Sequence, residues 1–301
     1  MSDNLGASGS SFCDKPGKDW PPTRQQMGEM FHALGLILWT GKTLSDAFEQ
    51  CAKFFPESET MRYVLGDLKH SVVDDRLDFA TAAADLNVDG ISACDFSDEI
   101  CNLLEGAKRV RNIPLACSHI AYLHDSVTGE FFKRIGSSDP DNVCLFTKIL
   151  ASSVSFELSA LRALRVAENA IKTQRNLRSN VALSRELSMA DYEAKLEQQR
   201  LVSWPREVIS EIERGATFHE ALQKCGSIFG ELCLDVIQYG ESGGRPDKAL
   251  GLLAGFPMSD LPCPPDLSGE GNDIRTSPGS GNSGQQSGFF VTKIGERRGR
   301  R

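Results

Sequence analysis

The sequence patterns that mark common metal and nucleotide sites are missing from this chain of 301 residues. It contains no Cys-x-x-Cys pair, no His-Glu-x-x-His segment and no Gly-x-x-x-x-Gly-Lys followed by Ser or Thr. These absences remove the usual sequence support for a zinc site or a phosphate-binding loop. We therefore predict no catalytic, cofactor-binding or metal-binding residues, and we interpret the chain as non-enzymatic.

The cysteines do not form a recognisable framework either. There are nine of them, an odd number, and they are scattered along the chain. Cys94 and Cys101, and likewise Cys225 and Cys233, are spaced as on one helical face. Buried thiols in a reducing compartment are the favoured interpretation, with zinc or disulfides as alternatives.

Long apolar runs and a basic excess are also lacking. The longest apolar stretches, such as Leu34–Trp39, fall well short of the roughly 20 residues that a membrane-spanning helix needs. The first residues do not resemble a secretory signal. The net charge of -8 argues against a broad nucleic-acid surface. We expect a cytoplasmic protein with no transmembrane segment and no nucleic-acid partner.

Two segments, 41–48 and 215–222, carry the same short pattern, in which one helix ends and the next begins at once. Gly41 and Gly215 suit the left-handed position that closes a helix. Thr43 and Thr217 suit the N-cap of the following helix, with an acidic residue three positions later. The apolar positions of the second helix are Leu44, Ala47 and Phe48 in one segment and Phe218, Ala221 and Leu222 in the other. Weaker copies are Asp74, Leu77 and Ala80, and Ser153, Phe156 and Ser159.

Helical spacing of apolar residues continues between these corners, which predicts an all-α fold of two tandem six-helix antiparallel bundles. The first bundle is expected over residues 22–127, with helix two ending near Phe55, helix four beginning near Leu77 and helix six over about Ile113–Leu123. The second is expected over 128–256, after a short polar connector at 124–130. Residues 1–21 and 257–301 have the composition of disordered ends.

Two charged segments leave alternatives open. The mixed charges of about 165–204 predict a helical insertion in the second bundle, which is either a solvated helix or a partner-binding arm. The end of the tail, residues 288–301, combines apolar and basic residues. It is interpreted as a solubilising end, a docking motif or a contact with anionic lipid.

The run Gly240-Glu241-Ser242-Gly243-Gly244 precedes the last helix. We expect its glycines to supply the backbone freedom of a turn. Glu241 would then stabilise the N-terminus of the helix that follows, where a carboxylate meets exposed amides. A role in partner contact or cation binding is the alternative.

Together these residues resemble the type II secretion system protein F domain, found in the inner-membrane platform proteins of type II secretion and type IV pilus machines. The matching positions are Phe31, Gly41, Leu44, Ala47 and Phe48, then Gly215, Phe218, Ala221 and Leu222, and finally Ile237, Gly240, Glu241, Gly243, Ala249 and Leu250. The resemblance covers about residues 25–256. It implies two copies of a six-helix bundle and an internal duplication. The first half departs from it, with Leu104-Glu105-Gly106 followed by bulkier residues.

The resemblance implies a scaffold or adaptor that docks to an assembly ATPase or to platform and membrane subunits. Family members have spanning helices after each cytoplasmic domain, whereas none is predicted here. A cytoplasmic protein, or one peripheral to the inner membrane through its basic tail, is therefore expected, and a homo-oligomer is compatible with this. The alternatives are a generic helical-repeat interaction module, or an enzyme with acids such as Glu105 and Glu241 converging between the bundles.

Overall fold

The computed structural model describes residues 20–88, 91–92, 113–156, 158–182 and 203–256, and these residues form an all-α fold. The helices are α1 Arg24–Trp39, α2 Leu44–Ala52, α3 Glu59–Lys69, α4 Phe79–Ala84, α5 Ile113–Leu123, α6 Gly129–Arg134, α7 Pro140–Ser155, α8 Ala160–Ala182, α9 Trp204–Glu213, α10 Phe218–Lys224, α11 Glu231–Ser242 and α12 Pro246–Leu253. A two-residue antiparallel hairpin joins Asn87–Val88 to Ile91–Ser92. The fifth of the six helices predicted for the first bundle falls between the fourth and the sixth, in residues 93–112, which lie outside the described residues.

The two glycine-threonine corners form as predicted. Gly41 and Gly215 have φ values of +82° and +98°, in the left-handed region. Each threonine accepts a hydrogen bond from the backbone N–H three residues later, at 3.2 Å. Glu220 completes a capping box, because its carboxylate accepts from the Thr217 N–H at 2.8 Å. Asp46 is one methylene shorter and accepts from the Thr43 hydroxyl instead.

The weaker copy at Asp74, Leu77 and Ala80 was predicted in the wrong register. A π-helical turn over His70–Asp74 extends α3, so the corner comes two residues later. Arg76 takes the left-handed position with φ +56°, Asp78 is the N-cap, and Phe79 is buried. Leu77 remains partly exposed. The corner at Arg76 thus matches the spacing of the glycine corners with a different residue at positive φ.

Several other boundaries differ from the predictions. Helix α2 ends at Ala52 rather than near Phe55. Phe156 follows the end of α7 and is 78% exposed, so it belongs to no core stripe. The predicted polar connector 124–130 already contains the start of α6, whose N-cap is Thr128.

Helix α1 is enclosed on all sides. Every residue from Met27 to Trp39 is buried, as expected for a helix that is apolar around most of its circumference. It packs mainly against α5, and also against α2 and α11. Two polar residues, Glu29 and His32, are buried with it and contact residues of the second half of the chain. The predicted boundary at 127/128 is therefore crossed by one continuous apolar core.

The first part of the predicted charged insertion packs one face of α8 into the core and leaves the other face exposed. Ala167 and Ile171 of α8 are fully buried, and Glu168 is 9% exposed. Glu168 accepts from the Arg206 guanidinium of α9 at 2.8 Å and also pairs with Lys172. Residues 183–202 of the insertion lie outside the described residues. Of the helices that the structure describes, none is both long and apolar enough to span a membrane.

Candidate docking groove

An open groove of about 880 Å³ lies where the two halves of the chain meet. One wall is the polar face of α2, and the other is the segment 226–234, which leads into α11. The end of α6 closes the bottom with Ile135 and Gly136. The residues along the α2 wall are Lys42, Asp46, Glu49, Gln50, Lys53 and Phe54.

The amphipathic pattern of α2 fixes which face lines the groove. Ala47, Phe48 and Cys51 point into the core and are fully buried. Residues at helical spacing on the opposite side, such as Asp46 and Glu49, stay exposed. The wall is therefore polar because its apolar side is already used in packing.

Hydrogen bonds between two loops hold the opposite wall. The Ser137 hydroxyl donates to the Ile228 carbonyl at 2.6 Å, and the Ser138 N–H donates to the Ser227 carbonyl at 3.1 Å. A Cβ atom on Gly230 would lie 2.0 Å from the Ile135 carbonyl oxygen, so only glycine fits there. These contacts join the loop after α6 to the loop before α11 and shape the bottom of the groove.

The rim of the groove carries three acids and two lysines. Asp46, Glu49 and Glu231 are exposed along it, and Glu49 pairs with Lys69 at 2.6 Å. Just beyond the rim, partial burial raises the pKa of Asp235, while Lys42 acts to lower it. This mixture of charge and apolar surface, from side chains such as Phe54, suits a peptide or protein surface better than an enclosed small molecule.

Glu241 does not stabilise the last helix as predicted. It lies in the final turn of α11, where its two carboxylate oxygens accept from the backbone N–H groups of Phe218 and His219, both at 2.9 Å. These are the first two amides of α10, a helix that begins 23 residues earlier in the sequence. The expectation of a carboxylate at a helix N-terminus was sound, but the helix is α10 rather than α12.

The glycines around Glu241 also differ from their predicted role. Gly240 is helical and buried, and a Cβ there would lie 2.5 Å from the Ala249 Cβ, so it permits close packing of α11 on α12. Gly243 has φ -83°, which any residue can adopt. Only Gly244 in this run has a positive φ, +67°, and makes the turn.

The same five residues fit the Gly-x-Ser-x-Gly spacing of a hydrolase nucleophile turn. That turn requires a strand before the serine and a helix after it. Here Ser242 ends a helix and is exposed. The local structure therefore does not support a nucleophile at this position.

Helix α11 brings several of the predicted site residues together. Tyr239 packs edge-on against Trp39 with ring centroids 5.8 Å apart, and lies beside Gly41. Glu241, two residues on, holds the second corner at Phe218. One helix thus contacts a corner from each half of the chain.

The other predicted positions serve packing or the corner itself. Leu44 is partly buried at the first position of α2, and Ala221 is buried in α10. Gly215 has no atoms near the direction of a Cβ, so its positive φ alone explains the glycine.

The described cysteines are free thiols. Cys51, Cys117, Cys144 and Cys233 are buried, and Cys225 is half-buried. Burial raises the pKa of the Cys117 and Cys233 thiols to about 12. Cys225 follows α10 whereas Cys233 lies in α11, so the prediction of one shared helical face is wrong for this pair. In the described parts of the chain no three His, Cys, Asp or Glu side chains are grouped to hold a metal ion.

Comparisons with protein-family models, curated proteins and solved structures find no match to this chain. The family resemblance stays a prediction. The groove itself was missed by the sequence analysis, although Ser137 and the glycines at 136 and 230 were visible as a possible pair of tight loops.

Proposed function

We propose that this protein is a non-enzymatic scaffold or adaptor related to the type II secretion protein F domain, and that it docks to an assembly ATPase or a platform subunit through the groove beside α2. The proposal combines the family resemblance with two structural observations. One concerns the order of helix contacts, and the other concerns the position of the groove.

The order of helix contacts carries the proposal. In the first half, α1 packs on α2 and α5, α2 on α3, and α3 on α4. In the second half, α7 packs on α8 and α12, α8 on α9, and α9 on α10. The same sequence of neighbours in both halves supports a duplicated six-helix unit. The helix that would correspond to α11 falls in the part of the first half outside the described residues.

The groove supports a docking role because it is open and lies between the two units. Its wall from α2 belongs to the first half, and its wall from α11 belongs to the second. A partner bound there would contact both units at once.

Affinity capture tests the proposal. The full-length chain is immobilised, exposed to lysate of its source cells, and the captured proteins are identified by mass spectrometry. We expect a secretion-type ATPase or a membrane platform subunit. Capture of neither by the wild-type chain contradicts the proposal.

A matched pair of variants tests the groove. Glu231→Lys changes an exposed acid in the first turn of α11, on the rim of the groove. Glu59→Lys changes an exposed acid in the first turn of α3, away from it. We expect Glu231→Lys to lower capture at least about tenfold, the equivalent of roughly 1.4 kcal/mol, while Glu59→Lys leaves it unchanged. Equal capture by both variants contradicts docking at this groove.

A further inference from the structure

We propose that the C-terminal segment 288–301 of this same chain binds in the groove and competes with the partner for it. This inference rests on the proposed docking role of the groove and adds a means of regulating it. Three properties support it: the chemistry of the groove, the chemistry of the segment and the length of chain that joins them.

The groove offers both charge and apolar contact. Its acids, Asp46 and Glu49 on the α2 wall and Glu231 on the opposite wall, are exposed beside two lysines, Lys42 and Lys53. Phe54 and Leu234 line the same groove and are partly exposed. Cationic side chains next to aromatic or aliphatic ones can pair with these acids and cover the apolar surface.

The segment 288–301 has that composition. It carries one lysine and four arginines against a single glutamate. Its apolar residues, Phe289, Phe290, Val291 and Ile294, directly precede or interleave with the basic ones. The whole chain has a net charge of -8, so this cationic segment is attached to a body that is more acidic still. Electrostatic attraction therefore favours the segment over neutral or acidic competitors.

The intervening chain is long enough for the segment to reach the groove. About 30 residues rich in Gly, Ser and Pro separate Phe256 from Gly288. A chain of that length can extend to roughly 100 Å, since each residue adds at most about 3.3–3.6 Å. The described body, of 194 residues, has an expected radius of gyration of about 16 Å. Attachment thus gives the segment an effective concentration on the order of millimolar, enough for a weak motif to occupy the groove.

Zero-length crosslinking with a carbodiimide tests the contact in the full-length protein. The reagent joins a lysine amine to a carboxylate that it touches. Lys293 is the only lysine after residue 256, so its products are unambiguous. We expect it to be joined to Asp46, Glu49 or Glu231 within one chain. A mixture of isotopically light and heavy protein distinguishes bonds within a chain from bonds between chains.

Two variants make the result decisive. Replacing Phe289 and Phe290 together by alanine keeps Lys293 and is expected to lower the crosslink yield at least about tenfold. Glu231→Lys should lower the total yield on the rim acids, whereas Glu59→Lys should not. Joining of Lys293 to exposed acids over the whole surface overturns the proposal. The proposal is also overturned if Lys293 is joined only to other chains. It is overturned as well if Lys293 stays unlinked while the chain binds anionic vesicles.

The outcome is separable from that of the proposed function, because crosslinking needs no partner. If the wild-type chain captures the ATPase but forms no Lys293 crosslink, the tail contact alone is refuted. If the Lys293 crosslink forms but neither the ATPase nor a platform subunit is captured, the proposed partner alone is refuted.

Discussion

Glu241 offers the sharpest test of how the corner at Gly215 is held. Its carboxylate binds the amides of Phe218 and His219 from outside the helix that they begin. Thr217 and Glu220 bind each other's amides in the same turn. The four N-terminal donors of α10 therefore depend on three side chains, and one of these comes from α11.

Glu241→Ala should lower the free energy of unfolding by about 3 kcal/mol. Phe218 is buried, so its amide loses its acceptor without gaining water, which costs about 1–3 kcal/mol. The His219 amide, which is less buried, recovers part of its loss through hydration. Loss of a negative charge at the start of α10 adds roughly 0.5 kcal/mol. Glu241→Gln keeps one acceptor oxygen and should cost about half as much.

Urea denaturation and thermal melting followed by circular dichroism measure the effect. A loss of about 3 kcal/mol corresponds to a fall in Tm of roughly 6–12 °C for a chain of this size. Glu59→Ala, at an exposed first-turn acid, is the control and should stay within about 0.5 kcal/mol of wild type. If Glu241→Ala matches that control, the carboxylate does not cap α10. A wild-type Tm that falls on addition of chelator would instead indicate a cation ligand.

Three further predictions concern packing and buried charge. Gly240→Ala should destabilise the protein by about 2 kcal/mol in the same melts, because the new Cβ meets Ala249. Gly243→Ala, where a Cβ has ordinary contacts, should stay within about 0.5 kcal/mol of wild type, and equal losses in the two variants would contradict this. Burial lowers the pKa of His32 to about 3, whereas the unfolded chain binds a proton at this residue once the pH falls below about 6.5. The free energy of unfolding should therefore drop by about 2 kcal/mol from pH 7 to 5. Urea titrations should find a shallower drop in His32→Asn, and an equal drop would count against the reasoning. Arg134→Met leaves the buried Glu29 carboxylate without its ion pair and should lower the free energy of unfolding by about 3 kcal/mol. Adding Glu29→Gln should recover at least about 1 kcal/mol in a double-mutant cycle, whereas additive effects would show that the two side chains do not pair.

The corners could be predicted because every group that forms them is local. A glycine at positive φ, a threonine two residues later and an acid three residues after that suffice to end one helix and begin the next. The buried stripe of α3, with Met61, Val64 and Leu68, follows in the same way from helical spacing. Where a residue unsuited to positive φ takes that position, as Arg76 does, the local pattern gave the wrong register.

The role of Glu241 and the existence of the groove could not be predicted, because both depend on contacts between distant parts of the chain. Gly240 suggests a turn when only neighbouring residues are considered, yet packing against Ala249 keeps it helical. Ser137 and Ile228 are 91 residues apart, so their bond follows only from the tertiary fold. In the charged insertion, the apolar spacing of Ala167 and Ile171 was present but was outweighed by the surrounding charges.

The enclosure of α1 has a consequence for synthesis of the protein. His32 emerges early from the ribosome, yet its buried imidazole lies beside Leu253 and Gly255, near the far end of the described chain. At ordinary translation rates of 5–20 residues per second, the partner arrives about 10–40 s later. During that interval α1, which is buried from Met27 to Trp39 in the folded protein, lacks its final cover. Ribosome-bound chaperones that hold apolar segments would therefore meet this protein first at its N-terminal helix.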